Sequence, residues 1–354
     1  MAIPHFRLFW AVPLTLVLVA CDPFASPDSM MDEYVERVGR VLETDVQLRE
    51  VETAPQLPRR RERTREIPRI NVGMLDFLGL YGCELQHVVG ERNSILGRVM
   101  HPSTALNYEV RFLRAAEDCM EEIERERLKE RLEEVIEVKR GTMPDAVWNA
   151  IWASREIENL FTRSRGPLAI DHNRDLTSGM LSDVRLVQYS IDRILEGDPD
   201  VDVDTLDPVY QRWNRQALIG QAVRSALLIS ARLNDAAEVV EARLDGRPVC
   251  HDQNVTQQAE HMQNMFMSVF AGHVQPYLTE VQNVRNTLLP AMRQLSDLGD
   301  VERNASVHDY LVRVLDDQHE DSVWRAFDEA IERHTEAWQQ LLEQCDMSPA
   351  LPGS

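Results

Sequence analysis

Near the end of this 354-residue chain, Phe327, Ile331, His334, Trp338, Leu341 and Cys345 follow one another at steps of 4, 3, 4, 3 and 4 residues. That spacing draws a single stripe along an α-helix. Val255, Ala259, Met262, Phe266, Phe270, Val274, Tyr277, Val281 and Val284 repeat it, with Pro276 read as a kink rather than a stop. A third helix is expected from Pro208 to Leu244, opened by Asp207 as N-cap and closed by Gly246. Glu121 to Arg140 alternates acids and arginines around Ile123, Leu128, Leu132 and Ile136, a solvated face over one apolar stripe. Gly141 is expected to end that helix, with Thr142, Met143 and Pro144 restarting the chain. Ser306 with Asp309 reads as a capping box. Alternating apolar and polar runs are nearly absent, so the expected fold is all-α, an irregular bundle of long amphipathic helices.

The breaks in this pattern suggest an organisation. Residues 1–20 form a cleaved leader, and 21–71 a tether with a helix over Met30 to Val46 and an extended Pro/Arg-rich arm from Gln47 to Asn71. A first helical set spans 72–165, a loop 166–179, a second set 180–345, and a frayed tail 346–354. In the arm, Arg59, Arg60, Arg61, Arg63, Arg65 and Arg69 face only Glu62 and Glu66, within a chain whose formal charge is -21. Pro55, Pro58 and Pro68 suit a segment that wraps the body, so these arginines are expected to meet the protein's own carboxylates rather than anionic lipid.

The leader carries Arg7 and the apolar run Leu8 to Ala20, thirteen residues, too short for a bilayer that needs roughly 20 in helical form. It ends in Leu18-Val19-Ala20-Cys21, which resembles the lipobox of bacterial lipoproteins, in which the cysteine is acylated and becomes the mature N-terminus. Cys21 is therefore the expected lipidation site, and more than one acyl chain gives stable anchoring. Asp22 resembles the inner-membrane retention signal of enteric Gram-negative lipoproteins, which favours the inner over the outer membrane. The address implied is the periplasm-facing side of a Gram-negative envelope, with the membrane as partner through the lipid anchor. Four cysteines remain, and an oxidising compartment makes two disulfides of them. Cys83 and Cys119 lie on consecutive helices. Cys250 precedes one long periodic segment and Cys345 ends another, so antiparallel packing of Val255–Leu295 against Ser306–Gln344 would bring the second pair together.

The acidic balance argues against nucleic acid as partner, since phosphate binding needs a concentrated basic face. Candidate chemistry is sparse. Glu84 and His87 make one ExxH, whereas a di-iron bundle needs two and two further carboxylates. His261, Met262, Met265 and Met267, with His251 and His273 nearby, have the ligand softness for Cu(I), but methionine is also core filler. Asp198, Asp200, Asp202 and Asp204 alternate like calcium ligands, yet Val203 and Val209 stand where an EF-hand loop needs glycine and glutamate. No nucleophile elbow, phosphate-binding loop or dinucleotide fingerprint is present. No catalytic residue, metal site or cofactor is therefore assigned.

Three stretches carry a family likeness: INVGMLDFLGLYGC from Ile70 to Cys83, ERNSILGRVM from Glu91 to Met100, and YEVRFLRAAEDC from Tyr108 to Cys119. Together they resemble an uncharacterised family of Gram-negative lipoproteins, a domain of unknown function. The likeness implies a lipoprotein and supplies no catalytic residues. Two classes of function follow. One is a noncatalytic interaction or structural component of the envelope, with an envelope protein as partner. The other is an enzyme or small-ligand or metal-binding module with its site in the helical body. A buried polar cluster around Glu91, Arg92, Asn93 and Arg98 would favour the second, and an exposed apolar groove the first.

Overall fold

The structure, a computed structural model, describes residues 24–68, 80–94, 100–198, 200–250, 255–298 and 304–347. All regular elements among them are helical, as the periodicity predicts. They are α1 (Pro27–Leu42), α2 (Arg60–Arg63), α3 (Glu84–Asn93), α4 (Pro102–Glu122), α5 (Glu126–Trp152), α6 (Arg155–Leu160) and α7 (Arg174–Leu195). After a 3-10 turn at Val203–Leu206 come α8 (Asp207–Trp213), α9 (Leu218–Leu244), α10 (Gln257–Met265), a π-helical segment (Phe266–Val274), α11 (Gln275–Asp297), α12 (Ala305–Leu315) and α13 (Val323–Glu343).

α9 is the axis of the molecule. Ala222, Ala226, Ile229, Leu233, Ala236 and Val240 are all fully buried, and the helix is covered by α1, α11 and α13. A helix apolar on several faces has to lie inside. α1 starts one turn into the chain's described part, where Ser26 caps it and its hydroxyl accepts from the Ser29 N–H at 3.2 Å. It buries Met30, Met31, Tyr34, Val35 and Val38 completely. It ends at Leu42, four residues before the expected Val46, because Glu43 takes a left-handed φ of 54° and the chain doubles back. Gly39 permits that reversal: a Cβ there would sit 2.1 Å from Val46 Cγ2.

Other boundaries depart from the sequence reading for identifiable reasons. α5 runs unbroken through Gly141 and Pro144. The proline removes one helical hydrogen bond, but both flanks are held, by Lys139 against Glu109 on one side and buried Val147, Trp148, Ile151 and Trp152 on the other. The expected helix from Pro208 to Leu244 is two. Asp207 is already inside α8 rather than its cap, and the chain breaks after Trp213, which is buried. Gly220 then brings α9 so near the loop after α6 that an added Cβ would lie 2.1 Å from the Thr162 carbonyl oxygen. Around Pro276 the kink takes the form of the π segment, in which the Gln275 N–H reaches back to the Phe270 carbonyl. The expected arm from Ser306 to Gln344 is also split, at Asp316–Ser322. Its cap is Asn304, whose Oδ1 accepts from the Val307 N–H at 3.2 Å and from the Ser306 hydroxyl at 3.0 Å, so the Ser306–Asp309 box does not form.

Two apolar cores result. The smaller gathers Leu85, Val88, Phe112, Ala116, Leu132 and Ile136 from α3, α4 and the first half of α5. The larger takes everything from Met143 onward together with α1 and the arm, so α5 passes from one core to the other between Ile136 and Met143.

Candidate functional site

Both disulfides have the expected pairing. Cys83–Cys119 spans 5.5 Å between Cα atoms and Cys250–Cys345 spans 5.3 Å, within the range a disulfide bridges. The first ties the start of α3 to the last turn of the antiparallel α4. The second joins the residues that follow α9 and α13. Arg333 reaches Glu241 and Asn234 at sequence offsets of 92 and 99, and Cys345 meets Cys250 at 95. Offsets that stay between 92 and 99 along the pair mean that α13 runs parallel to α9. Cys250 follows the end of α9 and Cys345 the end of α13, so the two C-terminal ends meet; α13 packs chiefly on α9 and also runs antiparallel to the π segment and α11, with Phe266 meeting Trp338, Phe270 meeting His334 and Arg285 meeting Asp328, the course expected from the sequence.

The arm lies on the body. Arg63 is 1% exposed, and donates from Nε to the Pro58 carbonyl at 2.7 Å and from its terminal nitrogens to the Trp152 carbonyl and Glu158. Arg60 shares Glu158 at 3.1 Å. Arg65 pairs with Asp145 at 3.3 Å and sits 4.1 Å over the Trp148 ring, while the Asn149 side chain exchanges two 2.8 Å hydrogen bonds with the Arg65 backbone. Further back, the Arg49 N–H donates to Asp235 and its carbonyl accepts from Arg232. These arginines meet the chain's own carboxylates and carbonyls, as the arm's composition predicts; Arg69 lies outside the described residues, as do Cys21 and Asp22.

The remaining candidates do not converge. Glu84 and His87 are exposed on α3. Met262 and Met265 are core residues, whereas Met267 and His261 face outward and His273 stacks on Phe24 at 4.2 Å; His251 is outside the described residues. Asp198 takes Arg193 and the Asp200 N–H, which together hold its carboxyl below the usual range, the backbone contact contributing most. Asp202 accepts from the Asp204 N–H, and Asp204 from Asn107. Glu91 and Asn93 are exposed, with Glu91 bound to Arg111 at 2.8 Å and Arg92 lying over the Tyr108 ring. Arg98 is outside the described residues. Among the described residues no three His, Cys, Asp or Glu side chains are grouped to hold a metal ion.

What the elements do build is a groove of about 330 Å³ where the smaller core meets the larger. α4 supplies Val110, Leu113 and Arg114, α5 supplies Met143, and the end of α7 supplies Ile194 and Leu195. Gly197, with a φ of 78°, turns the chain there. Glu117, Arg140, Glu196 and Asp198 make a rim of mixed charge, with Arg140 paired to Glu117. A second hollow of about 280 Å³ shares Val110 and Arg114 and runs along the Asp200–Asp204 segment, where Arg114 donates to the Val201 carbonyl at 3.1 Å. An apolar floor inside a rim of both signs can take an apolar side chain from a polypeptide; it has no nucleophile with a base beside it.

Sequence reasoning missed the polar residues inside the core. His334 lies on the stripe of α13, fully enclosed beside Phe266, Phe270 and Trp338. Its Nε2 is 2.6 Å from the Tyr34 hydroxyl, which also accepts from Trp338 Nε1 at 3.0 Å. With the tryptophan donating, the tyrosine proton points to the histidine. Burial pushes His334 down to about 3 and raises Tyr34, so both are neutral. Tyr277 and Ser225 form a similar knot, with the Leu168 N–H donating to Ser225 at 2.8 Å. A histidine on an apolar stripe was legible, but its partner 300 residues away was not.

No curated protein and no solved structure matches the chain. A family of proteins of unknown function, DUF3080, matches residues 31–349, from the first turns of α1 to beyond Cys345, and the chain belongs to that family.

Proposed function

We propose that this chain is a lipid-anchored protein facing the periplasm of a Gram-negative bacterium, acting as a noncatalytic interaction component of the envelope. Leu18-Val19-Ala20-Cys21 supports the anchor, and two disulfides suit an oxidising compartment. The observation that carries the interaction reading is the groove between α4, α5 and α7, whose floor of Val110, Leu113, Met143, Ile194 and Leu195 offers anchoring for apolar side chains of a protein partner. The buried polar groups of the core support the same reading, since Tyr34, His334, Tyr277 and Ser225 are spent on one another.

Metabolic labelling with an acyl-chain analogue is expected to mark the wild type and not Cys21→Ser; equal labelling of both rejects the anchor. In membrane fractionation the wild type is expected with the inner membrane and Asp22→Ser displaced outward. A photo-crosslinking residue at position 195 should then capture one recurrent envelope protein in cells. Capture of nothing from position 195, while the anchored protein is intact, removes the groove from the reading.

A further inference from the structure

From Met262 to Thr279 the sequence holds no Asp, Glu, Lys or Arg, in a chain of which 27% is charged. This stretch is the end of α10, the π segment and the start of α11. Its inner side is core, with Met262, Val269 and Val274 buried. Its outer side shows solvent Gln263, Asn264, Met267, Ser268, Gln275 and Thr279. Met267 is 58% exposed, a large apolar side chain on an uncharged surface of an otherwise acidic protein. Elsewhere the exposed helix faces are thick with ion pairs, as at Glu33–Arg37, Arg131–Glu134 and Arg325–Glu329.

The position of this face relative to the chain's start gives it a meaning. Phe24 stacks on His273 of the π segment at 4.2 Å with the rings 11° apart, and packs onto the main core. Cys21 is three residues before Phe24, so a fully extended chain separates them by at most about 11 Å. α1 is locked into the core from Met30 onward, leaving no long linker. An acyl chain on Cys21 would thus hold the π segment within roughly one helix diameter of the bilayer surface. A body of charge -21 is repelled by anionic head groups. Of the surfaces around Phe24, whose ring also lies 5.3 Å from the Arg37 guanidinium paired with Glu33, the one without carboxylates is repelled least.

We propose that the uncharged outer face of α10, the π segment and α11 is the membrane-apposed surface of the body, lying against phospholipid head groups with Met267 at its centre. The inference rests on the anchor at Cys21. A face of Gln, Asn, Ser and Thr with one methionine suits shallow contact at the interface rather than insertion, and no helix among the described residues is long and apolar enough to cross a membrane.

The test is hydroxyl-radical footprinting of the full lipidated protein on phosphatidylethanolamine–phosphatidylglycerol vesicles, against soluble Cys21→Ser protein mixed with the same vesicles. Tyr189 on α7, 59% exposed, serves as the internal control. Oxidation of Met267 is expected to fall about fivefold or more in the anchored protein while Tyr189 changes less than about twofold, and Ser268→Glu with Gln275→Glu is expected to restore Met267 oxidation without releasing the protein from the vesicles. Acylated protein that floats with vesicles yet oxidises at Met267 as fast as the soluble form overturns the orientation and leaves the anchor standing. Mass spectrometry showing Cys21 unacylated overturns both. Protection of Met267 that grows with protein concentration in the soluble form assigns the face to a second copy instead.

Discussion

His334 is the residue at which burial and chemistry conflict most directly. Its ring accepts from Tyr34 in a fully enclosed site between α1, α13 and the π segment, and burial holds it neutral with its pKa lowered to about 3. In the unfolded chain the same ring takes a proton near 6.5. Below that value the unfolded state binds a proton that the folded state refuses. Stability is therefore lost as pH falls from about 6.5 toward 3, by up to about 1.4 kcal/mol per unit, and is fully present above 6.5. His334→Gln keeps an acceptor for Tyr34 and removes the titration. Thermal melts between pH 7 and 4 should show a shallower fall in Tm for the variant than for the wild type; parallel curves would mean that His334 is not kept neutral.

At the scale of elements, two helical glycines have opposite meanings that the sequence cannot distinguish. Gly220 in α9 faces the backbone of Phe161 and Thr162, with a Cβ landing 2.1 Å from a carbonyl oxygen. Gly141 in α5 is exposed, with nothing within 4 Å of its added Cβ. Gly220→Ala must displace the loop after α6, whose Phe161 packs on Trp152 and Tyr310. It should cost about 3 kcal/mol and lower Tm by about 5 °C. Gly141→Ala should instead stabilise by about 0.5–1 kcal/mol, because the alanine loses less backbone freedom on entering the helix. Chemical denaturation of the two variants side by side reads both signs. The π segment belongs to this scale as well: Pro276 marks an irregularity in the sequence, and among the packed side chains Phe266, Phe270 and Val274 it takes the form of a π-helical widening just before the proline.

Over the whole molecule, the two disulfides protect cores of very different size. Cys83–Cys119 closes a 36-residue separation around the smaller core, and Cys250–Cys345 a 95-residue separation across the larger. In the chain-entropy picture the shorter contributes about 4 kcal/mol and the longer about 1 kcal/mol more. The smaller core has few other supports, since α3 and half of α5 meet little beyond α4. Cys83→Ser with Cys119→Ser is expected to speed amide exchange across residues 84–136 while α9 and α13 keep their protection. Uniform acceleration over the whole chain would show that the cores open together.

The sequence by itself determined the helical class, because a 3.6-residue period in apolar side chains is a local property that needs no partner to be read. It also indicated that the arm's arginines lie on the body's carboxylates, since proline stiffness and charge excess are properties of composition, and the placing of Cys250 and Cys345 at the ends of periodic segments pointed to their pairing. The tertiary structure decided the rest. Pro144 and Gly141 lie inside one helix, and Pro208 to Leu244 forms two, because packing of Trp148, Trp213 and Gly220 outweighs local preferences worth a few kcal/mol. The parallel course of α13 on α9, the groove at the junction of the cores and the Tyr34–His334 contact all join residues far apart in the chain. Such contacts leave no periodic trace in sequence, because each partner satisfies its own helix pattern whichever neighbour it finally meets.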